Sequence, residues 1–429
     1  MSLDAQVARI IPLTGVADLV RHFEAGAKRN GQRLLGLEHE KFLYGEDGAP
    51  LAYEGPAGIG EVFRRLEPLG WIPVREREGA PVIAMRRGRA TLSLEPGGQF
   101  ELSGTPFLTA RDAHAENVAH LAELGSVLTG LKARAVFLGY RPVGTTSTTP
   151  WMPKGRYTAM RESLGSQGSM ALHMMLMTAT GQVSLDYADE ADAVELLTLS
   201  ARLAPVLVAL FANSALVEGR PSGFASFRSR VWNDVDPARC GYPDCYFDGS
   251  LSFARYVEWA LDAPLLFLRR GGKYLAPRLT FRNFLRDGFE GEPASESDWV
   301  DHVSTLFPEV RLKQLIELRS ADCVAAPQTG ALVALARGLL YDAGARAELS
   351  ACLPAWSKAK HLEWHHAAQV HGLQGEANGV PLLPKAREVV AIAARGLKRI
   401  DAADLPVLAP LEEVARSGRS PSAQSASTV

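Results

Sequence analysis

Five glutamates are spaced along the chain so that they could form one acidic site. They are Glu38, Glu40, Glu95, Glu101 and Glu317. The first two stand two residues apart in GLEHEKF, the next two share the segment TLSLEPGGQFELSG, and the last precedes Arg319 by two positions in KQLIELRSAD. Residues an even number apart on a β-strand point to one face, so each segment predicts a strand with its charged side chains on a single face.

Such a charged face can be exposed to water, and for any one pair this is the commoner case in antiparallel sheets. The whole set favours another interpretation, because these positions are mostly glutamate and crowded carboxylates repel one another unless cations lie among them. Mg²⁺ usually combines a few carboxylates with substrate phosphates. Gly97 and Gly98 would let a ligand approach the backbone closely. The five glutamates therefore predict a floor for a metal and a nucleotide.

Cationic residues elsewhere in the chain could bind the anionic groups of a ligand. Arginine offers a planar fork of donors to phosphate or carboxylate, and lysine offers a compact charge. Any one of these residues is more often a surface residue or part of a structural ion pair. The candidates are Lys154 and Arg156 in MPKGRY, Arg228 in FRSRVW, and Arg311, Lys313 and Arg319 around the C-terminal strand.

Other kinds of site find little support in the sequence. The chain has no GxxxxGK[ST] phosphate loop, no GxGxxG after a strand and no GxSxG nucleophile motif. Cys240 and Cys245 resemble half of a zinc knuckle, but no second ligand pair lies nearby in the sequence. His361 and His365 are four residues apart on a predicted helix, with His366 beside them. They could bind a metal, although a solvated helix face is the simpler interpretation.

Composition excludes several classes of protein. The 429 residues include 46 Lys and Arg against 48 Asp and Glu, and this balance argues against an obligate nucleic-acid binder. Four cysteines do not make a disulfide framework in a chain of this length. The segment MSLDAQVARIIPL lacks the features of a signal peptide or anchor, and the apolar run Leu203–Leu216 is too short to span a bilayer. We expect a cytoplasmic protein without membrane or nucleic-acid partners.

The order of predicted elements favours the α+β class with an antiparallel sheet, because strands arrive as hairpins with helices between them. The predicted helices cover residues 16–28, residues 109–132 with Thr109 as N-cap, residues 189–216, and much of the chain from Ala331 onward. The predicted strands are one in LLGLEHEKFLYG, a hairpin turning at Arg87–Gly88 that pairs Ile83–Met85 with Leu92–Leu102, one at Ala135–Tyr140, and one in QGSMALHMMLMTATGQVSLDY.

Six segments resemble, in order, those of the plant-type glutamate–cysteine ligase family, which also has bacterial members. They are GLEHEKF, YEGPAGIGEVFRRL, LSLEPGGQFELSG, MPKGRYTAM, LFANSALVEGRPSGFASFRSRVW, and FPEVRLKQLIELRSAD with the later GLLYD. The resemblance implies a glutamine-synthetase-like catalytic fold, in which an antiparallel sheet forms a cradle with helices packed behind it. It also implies ATP and Mg²⁺, and the joining of the glutamate γ-carboxylate to the amine of cysteine through an acyl phosphate.

The resemblance also implies roles for individual residues. The five glutamates match the acidic metal-site motifs of the family, and Arg319 matches the arginine of its E-x-R motif. Arg228 and Trp232 match a substrate loop, and Gln182 lies in a segment expected to contact substrate. Catalysis is thereby assigned to Glu317, Arg319 and Arg228. The candidates for nucleotide binding are the cationic residues named above for their chemistry, Lys154, Arg156, Arg311 and Lys313.

The implied organisation has three parts. Residues 1–342 are predicted to form the ATP-dependent carboxylate–amine ligase domain, residues 343–415 a helical region packed on it, and residues 416–429 a disordered tail. The protein is expected to act on small-molecule substrates as a monomer or homodimer.

One segment departs from the family pattern. ALHMMLMTATGQVSLDY has His173, Met177, Gly181 and Ser184 where the family usually has Asp, Arg, Val and Asn. This segment is predicted to be a cradle strand, so His173 and Met177 are expected to contact substrate. Two alternatives therefore stay open. One is the same ligase chemistry with another amine or carboxylate, and the other is a degenerate scaffold without catalysis, which the retained glutamates disfavour.

Overall fold

A nine-stranded antiparallel sheet forms the centre of the fold. The computed structural model describes residues 11–29, 31–165 and 167–425. The strands in this part of the chain are β1 (Leu35–Gly45), β2 (Ile72–Arg75), β3 (Val82–Arg87), β4 (Ala90–Leu94), β5 (Phe100–Ser103), β6 (Ala133–Val136), β7 (Gly181–Leu185), β8 (Leu216–Val217), β9 (Arg220–Pro221), β10 (Cys240–Gly241), β11 (Leu268–Arg270), β12 (Lys273–Leu275), β13 (Phe307–Pro308), β14 (Val310–Leu312), β15 (Ile316–Leu318), β16 (Glu376–Ala377) and β17 (Val380–Pro381). The central sheet has the order β14-β15-β7-β1-β5-β4-β3-β2, and β6 pairs with β1 beyond this path.

Helices pack against this sheet. They are α1 (Val16–Glu24), α2 (Ile59–Leu66), α3 (Ala110–Thr129), α4 (Gly155–Leu164), α5 (Ala171–Met177), α6 (Glu190–Phe211), α7 (Phe227–Trp232), α8 (Phe253–Asp262), α9 (Phe281–Asp287), α10 (Glu296–Ser304), α11 (Ala326–Leu340), α12 (Ala343–Cys352), α13 (Lys358–His371), α14 (Leu382–Asp401), α15 (Leu405–Ser417) and α16 (Pro421–Ser425). The predicted α+β class is confirmed, as are the turn after Arg87 and the N-cap at Thr109, whose side chain accepts from the backbone N–H of Asp112.

The segment TLSLEPGGQFELSG is a hairpin and not the single strand that residue parity predicted. β4 and β5 pair with each other, with Ser93 opposite Glu101. The chain turns between them, where the N–H of Gly98 donates to the carbonyl of Glu95 at 2.9 Å and Gly98 has a φ of +79°. Proline followed by two glycines is typical of such a turn. Glu95 and Glu101 therefore approach one another across a hairpin.

The prediction of one strand over QGSMALHMMLMTATGQVSLDY is also wrong in its first half. Residues Ala171–Met177 form helix α5, and the strand β7 begins only at Gly181. Alanine, leucine and methionine are good helix formers, whereas the residues that follow include two β-branched threonines. The correction moves His173 and Met177 from the sheet to a helix.

The C-terminal helices pack on the rest of the molecule. α14 and α15 contact α11, and one hydrophobic cluster runs from the central sheet through α6 and α11 to these helices. Asp404 joins the two regions, because its carboxylate accepts from the backbone N–H groups of Ala110 and Arg111 at 2.8 and 3.1 Å. The division of the chain at residue 342 stays a prediction.

The predicted disordered tail from residue 416 is wrong for the part that the structure describes. α15 extends through Ser417, and α16 follows at Pro421–Ser425. The N–H of Ser422 donates to the carbonyl of Ala212 at 2.9 Å, which ties this segment to the end of α6. Residues 426–429 of the predicted tail, and residues 1–10 of the N-terminal segment, lie outside the described residues.

Helix α6 is long and apolar enough to cross a membrane by length and composition. In the structure, however, most of it is buried within the hydrophobic core, with Asp189 capping its first turn. Core helices of this kind pass the same test, so the helix is weak evidence for a membrane span.

Candidate active site

One cavity collects most of the residues singled out in the sequence. The cavity is open to solvent, and about 840 Å³ of space free of protein atoms lies within it and its mouth. Four of the five glutamates line it, namely Glu38, Glu40, Glu95 and Glu101, and so do four arginines, namely Arg156, Arg228, Arg311 and Arg319. The glutamates come from β1 and from the hairpin that joins β4 to β5. Neighbouring strands therefore bring together residues that are 55 to 63 positions apart in the sequence.

The carboxylates are closely packed on the sheet. Glu40 of β1 lies directly opposite Glu101 of β5 in the strand register. Burial raises the pKa of Glu40 well above its ordinary value, and the charges of Glu101 and Glu95 raise it further. Glu95 contacts solvent in the cavity, yet the surrounding protein and the charge of Glu101 raise its pKa as well. Like charges opposite one another destabilise a sheet unless a cation offsets them.

These carboxylates have the chemistry that a divalent cation requires. The Oε1 atom of Glu95 is buried and has no hydrogen-bond partner in the described part of the chain. Glu40 keeps one oxygen occupied, because its Oε2 accepts from the backbone N–H of Thr180 at 2.9 Å. No group of three or more His, Cys, Asp or Glu side chains among the described residues forms a complete metal site. A cation here would therefore need further oxygen ligands, which substrate phosphates and water supply for Mg²⁺.

Glu317 does not fit its predicted role as a metal ligand. Its carboxylate is only 1% exposed. It accepts from Arg311 Nε at 2.5 Å and from Lys313 Nζ at 2.7 Å, and Arg319 Nη1 lies 3.7 Å away. Burial would raise the pKa of Glu317, but these three cations outweigh it and hold the pKa well below its ordinary value. Glu317 is thus the shared counter-ion of the cationic residues on β14 and β15, and two of these residues line the cavity.

The predicted nucleotide-binding residues divide into two groups. Arg156 and Arg311 line the cavity, and the Nε of Arg156 is a buried donor without a partner among the described residues. Lys154 and Lys313 are not part of the lining. Lys154 donates to the carbonyl of Leu94 at 2.5 Å, and burial together with the charge of Arg156 lowers its pKa to about 8. The two lysines therefore hold neighbouring protein groups, while the two arginines can reach a ligand.

Arg319 lies close to both polar and aromatic residues of the cavity lining. Its Nη1 donates to Gln182 Oε1 at 2.7 Å, and its guanidinium lies 5.9 Å from the ring centroids of Trp232 and Phe307. Burial, reinforced by the charge of Arg311, lowers the pKa of Arg319 to about 10. The structure thus brings the predicted residues Gln182 and Trp232 into the same cavity wall as Arg319.

His173 and Met177 do not contact the cavity, contrary to prediction. The phenol of Tyr140 lies 2.6 Å from His173 Nδ1, and burial lowers the pKa of this histidine. Met177 is buried in a hydrophobic cluster, where its Sδ accepts from the Thr149 hydroxyl at 3.3 Å. Both residues belong to α5, which lines the cavity with Met174 and Met175 but not with His173 or Met177. The departures from the family pattern therefore lie behind the cavity wall.

This placement predicts a small kinetic effect for His173→Ala. The substitution removes a partly buried hydrogen bond with Tyr140, so we expect a loss of about 1 kcal/mol in the free energy of unfolding. The Michaelis constants for all substrates should stay within about twofold of wild type, because no cavity contact is lost. Steady-state kinetics and urea unfolding measure the two effects. A large increase in any Michaelis constant would place His173 at the substrate after all.

Gly97 also has a different role from the predicted one. A Cβ atom at this position would lie 2.4 Å from the carbonyl oxygen of Leu176, so the glycine allows α5 to approach the hairpin turn. Gln99 ties the same two elements together. Its Nε2 donates to the carbonyls of Met175 and Thr178 at 3.1 and 2.8 Å. The close approach predicted for a ligand is thus made by the protein itself.

The cysteine and histidine clusters are not metal sites in the described part of the chain. Cys240 and Cys245 are free thiols. His361 and His365 are buried, so the predicted solvated face is wrong for them, although His366 is exposed. His365 lies within hydrogen-bond distance of the Tyr242 phenol and the Ser229 hydroxyl, at 2.6 and 3.0 Å. These contacts join α13 to α7.

Sequence reasoning missed the apolar and hydroxyl-bearing part of the cavity. Phe267 precedes β11 outside the six segments, and Met160 ends the segment MPKGRYTAM, where only its cationic residues were considered. Thr178 and Thr180 could have been predicted, because they lie four and two positions before Gln182, in the segment already expected to contact substrate. The lining also includes Met174, Met175 and Phe307.

Plant glutamate–cysteine ligases are similar to this chain over nearly its whole length. The chain matches the family described as glutamate-cysteine ligase family 2 (GCS2) across residues 34–428. It is 37% identical over 416 residues to the chloroplastic glutamate–cysteine ligase of Brassica juncea, which covers 96% of this chain and 80% of that protein. The chloroplastic enzyme of Arabidopsis thaliana is also 37% identical, over 419 residues that cover 96% of this chain and 78% of that protein.

A solved structure shares the fold at low sequence identity. The glutamate–cysteine ligase of Francisella tularensis, in complex with AMP, has a TM-score of 0.57 at 12% identity, and the match covers 92% of this chain and 84% of that one. The expected fold, an antiparallel sheet with helices packed against it, is therefore shared with that ligase. The six sequence motifs, the carboxylates and arginines of the cavity, and relatives at 37% identity all indicate the same family. The chain therefore belongs to glutamate–cysteine ligase family 2.

Proposed function

We propose that this cavity joins the γ-carboxylate of glutamate to the amine of cysteine at the expense of ATP. One observation carries the proposal. Four glutamates and four arginines line one cavity, and burial raises the pKa values of three of these glutamates, Glu38, Glu40 and Glu95. Carboxylates can hold a metal–nucleotide complex, and arginines can hold substrate carboxylates and transferring phosphate. The relatives that share the chain's motifs are named glutamate–cysteine ligases.

The reaction follows from these parts without a protein nucleophile. A γ-carboxylate oxygen of glutamate attacks the γ-phosphorus of ATP, and the bond from that phosphorus to the bridging oxygen of ADP breaks. The amine of cysteine then attacks the carbonyl carbon of the acyl phosphate, phosphate leaves, and the amine loses a proton. Arg228 and Arg319, which line the cavity, stabilise the negative charge that develops in both steps.

Mg²⁺ is the metal that these residues fit. The unpartnered Oε1 of Glu95 would be the clearest protein ligand atom, with Glu38, Glu40 and Glu101 in the same lining, and substrate phosphates and water would complete the coordination. The ion would neutralise phosphate charge during phosphoryl transfer. Glu317 contributes indirectly, since it keeps Arg311 and Arg319 in place through ion pairs on the cavity wall.

The direct test is turnover with defined substrates. The purified chain, with ATP, Mg²⁺, glutamate and cysteine, should release ADP and form a product of the mass of γ-glutamylcysteine. ADP release at the background rate would count against the proposal. A panel of other amines addresses the alternative acceptor, which has lost support because His173 and Met177 lie outside the cavity. A clear preference for another amine would restore it.

We also propose a reducing compartment, in agreement with the expected cytoplasmic location. All four cysteines are free thiols, and structural disulfides are rare in such compartments. Monomer or homodimer stays a prediction, as does the expectation that small molecules are the only partners.

A further inference from the structure

Asp322 is a buried carboxylate just beyond the cavity wall. It is 1% exposed and lies three positions after Arg319 in the RSAD segment. Its Oδ2 accepts from the backbone N–H of Asn213 and from the Ser214 hydroxyl, both at 2.7 Å. Its Oδ1 accepts from the Ser226 hydroxyl at 2.8 Å. A carboxylate that accepts from three protein donors is well suited to holding them in one arrangement.

The two serines that donate to Asp322 both hold the first turn of α7. Ser226 is the N-cap of this helix, and its side-chain oxygen accepts from the N–H of Ser229 at 3.2 Å. The Ser214 oxygen accepts from the N–H of Arg228 at 3.0 Å. A six-residue helix has little stability of its own, so its position depends on contacts of this kind.

Helix α7 carries two residues of the cavity wall, Arg228 and Trp232. The guanidinium of Arg228 is also tied to the segment that carries Asp322, because its Nη2 donates to the carbonyl of Arg319 at 2.9 Å. Residues 319–322 therefore hold Arg228 both at its backbone and at its side chain.

The space around Asp322 leaves it little freedom. A Cβ atom on Gly139 would lie 2.4 to 2.7 Å from the side-chain atoms of Asp322. The N–H of Gly139 in turn donates to the carbonyl of Asn213 at 2.9 Å. The carboxylate is thus confined between the segment around Gly139, the loop after α6 and the start of α7.

We propose that Asp322 is a positioning residue, which sets the Arg228 guanidinium against the substrate by holding the first turn of α7. The inference rests on the proposed function, since it takes Arg228 to bind an anionic group of the substrate. Asp322 itself is not among the residues that line the cavity. Its effect on the reaction should therefore pass through Arg228, and this separates it from a purely structural residue.

A double-mutant cycle tests this inference. Asp322→Asn keeps the shape but removes one acceptor, and we expect it to raise the Michaelis constant for glutamate about 10- to 100-fold, with little change for ATP. Arg228→Lys keeps the charge but loses the fork, and should raise the same constant. In the Arg228→Lys background, Asp322→Asn should add no more than about twofold, because residues that act as a unit are not additive.

Asp404→Asn is the matched control, because Asp404 is another fully buried carboxylate at the start of a helix, away from the cavity lining. It should lower stability and leave the Michaelis constants unchanged. If Asp322→Asn does not fold, Ser226→Ala and Ser214→Ala test the same link, each with a smaller rise in the constant for glutamate.

Several results would overturn the inference. If Asp322→Asn and Arg228→Lys raised the Michaelis constant for glutamate by independent factors that multiply in the double mutant, the inference would be wrong. The proposed function would not be affected by that result. A normal Michaelis constant in Arg228→Lys would overturn both this inference and the role given to Arg228. A wild-type chain without ligase activity would overturn the proposed function itself. The wild-type assay, which is the first measurement of the cycle, therefore tests the proposed function separately from the role of Asp322.

Discussion

Glu40→Gln should nearly abolish ligase activity while leaving the fold intact or slightly more stable. The amide keeps the oxygen that accepts from the N–H of Thr180, but it removes the negative charge from the acidic side of the cavity. We expect kcat to fall roughly 100- to 1000-fold, the cost of losing one electrostatic contact in a transition state. Without Mg²⁺, the free energy of unfolding should rise by up to about 1 kcal/mol, because Glu101 no longer faces a like charge.

The same variant should change the dependence of stability on pH. The pKa of Glu40 is raised in the folded protein, so the folded state binds more protons than the unfolded state above the ordinary value of 4.5. Wild-type stability should therefore fall as the pH rises from that value through the folded pKa. Glu40→Gln should reduce this slope, and Mg²⁺ should reduce it in the wild type by binding the ionised form.

Urea unfolding at several pH values, with and without Mg²⁺, measures these effects. Glu413→Gln is the matched control, because Glu413 is exposed on α15 and forms a surface ion pair with Arg416. It should change stability by no more than about 1 kcal/mol and leave kcat unchanged. Wild-type turnover in Glu40→Gln would mean that the acidic side of the cavity has been misassigned.

Glu317→Gln should also lose activity, but with the opposite effect on stability. The neutral amide would leave Arg311, Lys313 and Arg319 around a buried group without their counter-ion. Removing one partner from a buried ion pair typically costs about 3–5 kcal/mol. The pKa of Glu317 is held low in the folded state, so the wild-type contribution persists above the ordinary pKa of 4.5 and is lost as the pH falls through the folded value.

A second substitution separates this explanation from metal binding. Lys313→Gln in the Glu317→Gln background removes one of the uncompensated cations, and should recover part of the lost stability. Lys313 does not line the cavity, so activity should not recover with it. A Glu317→Gln variant with wild-type stability would contradict the counter-ion role and favour the metal-ligand role that the sequence predicted.

Much of the site could be predicted, because strand parity and residue charge identified the correct glutamates even where the predicted secondary structure was wrong. Glu95 and Glu101 were placed together on the assumption of one strand, and the hairpin brings them together for a different reason. Glu38 and Glu40 share a face of β1, as expected. The order of predicted elements indicated the α+β class, and the six motifs, which are spread over residues 36–342, indicated the family.

The errors concern information that a single sequence does not carry. Residue identity does not show whether Glu317 meets a metal or three cations, since that depends on the pairing of β14 with β15 and on the arginine rotamers. His173 and Met177 were placed in the cavity because a short apolar run fits a buried helix and a buried strand equally well. Asp322 drew no attention, because its importance lies in contacts with Ser214 and Ser226, about 100 residues away.

The most direct test of the account follows the oxygen atoms of the substrate. The substrate is glutamate with ¹⁸O in its γ-carboxylate. If this carboxylate is activated as an acyl phosphate, we expect the phosphate released during ligation with cysteine to carry one ¹⁸O atom. The attacking carboxylate oxygen becomes the bridge of the acyl phosphate and leaves with phosphorus when the amine attacks. Mass spectrometry of the released phosphate measures the transfer. Product formed with unlabelled phosphate would contradict activation of the carboxylate as an acyl phosphate, and with it the reaction proposed for this cavity.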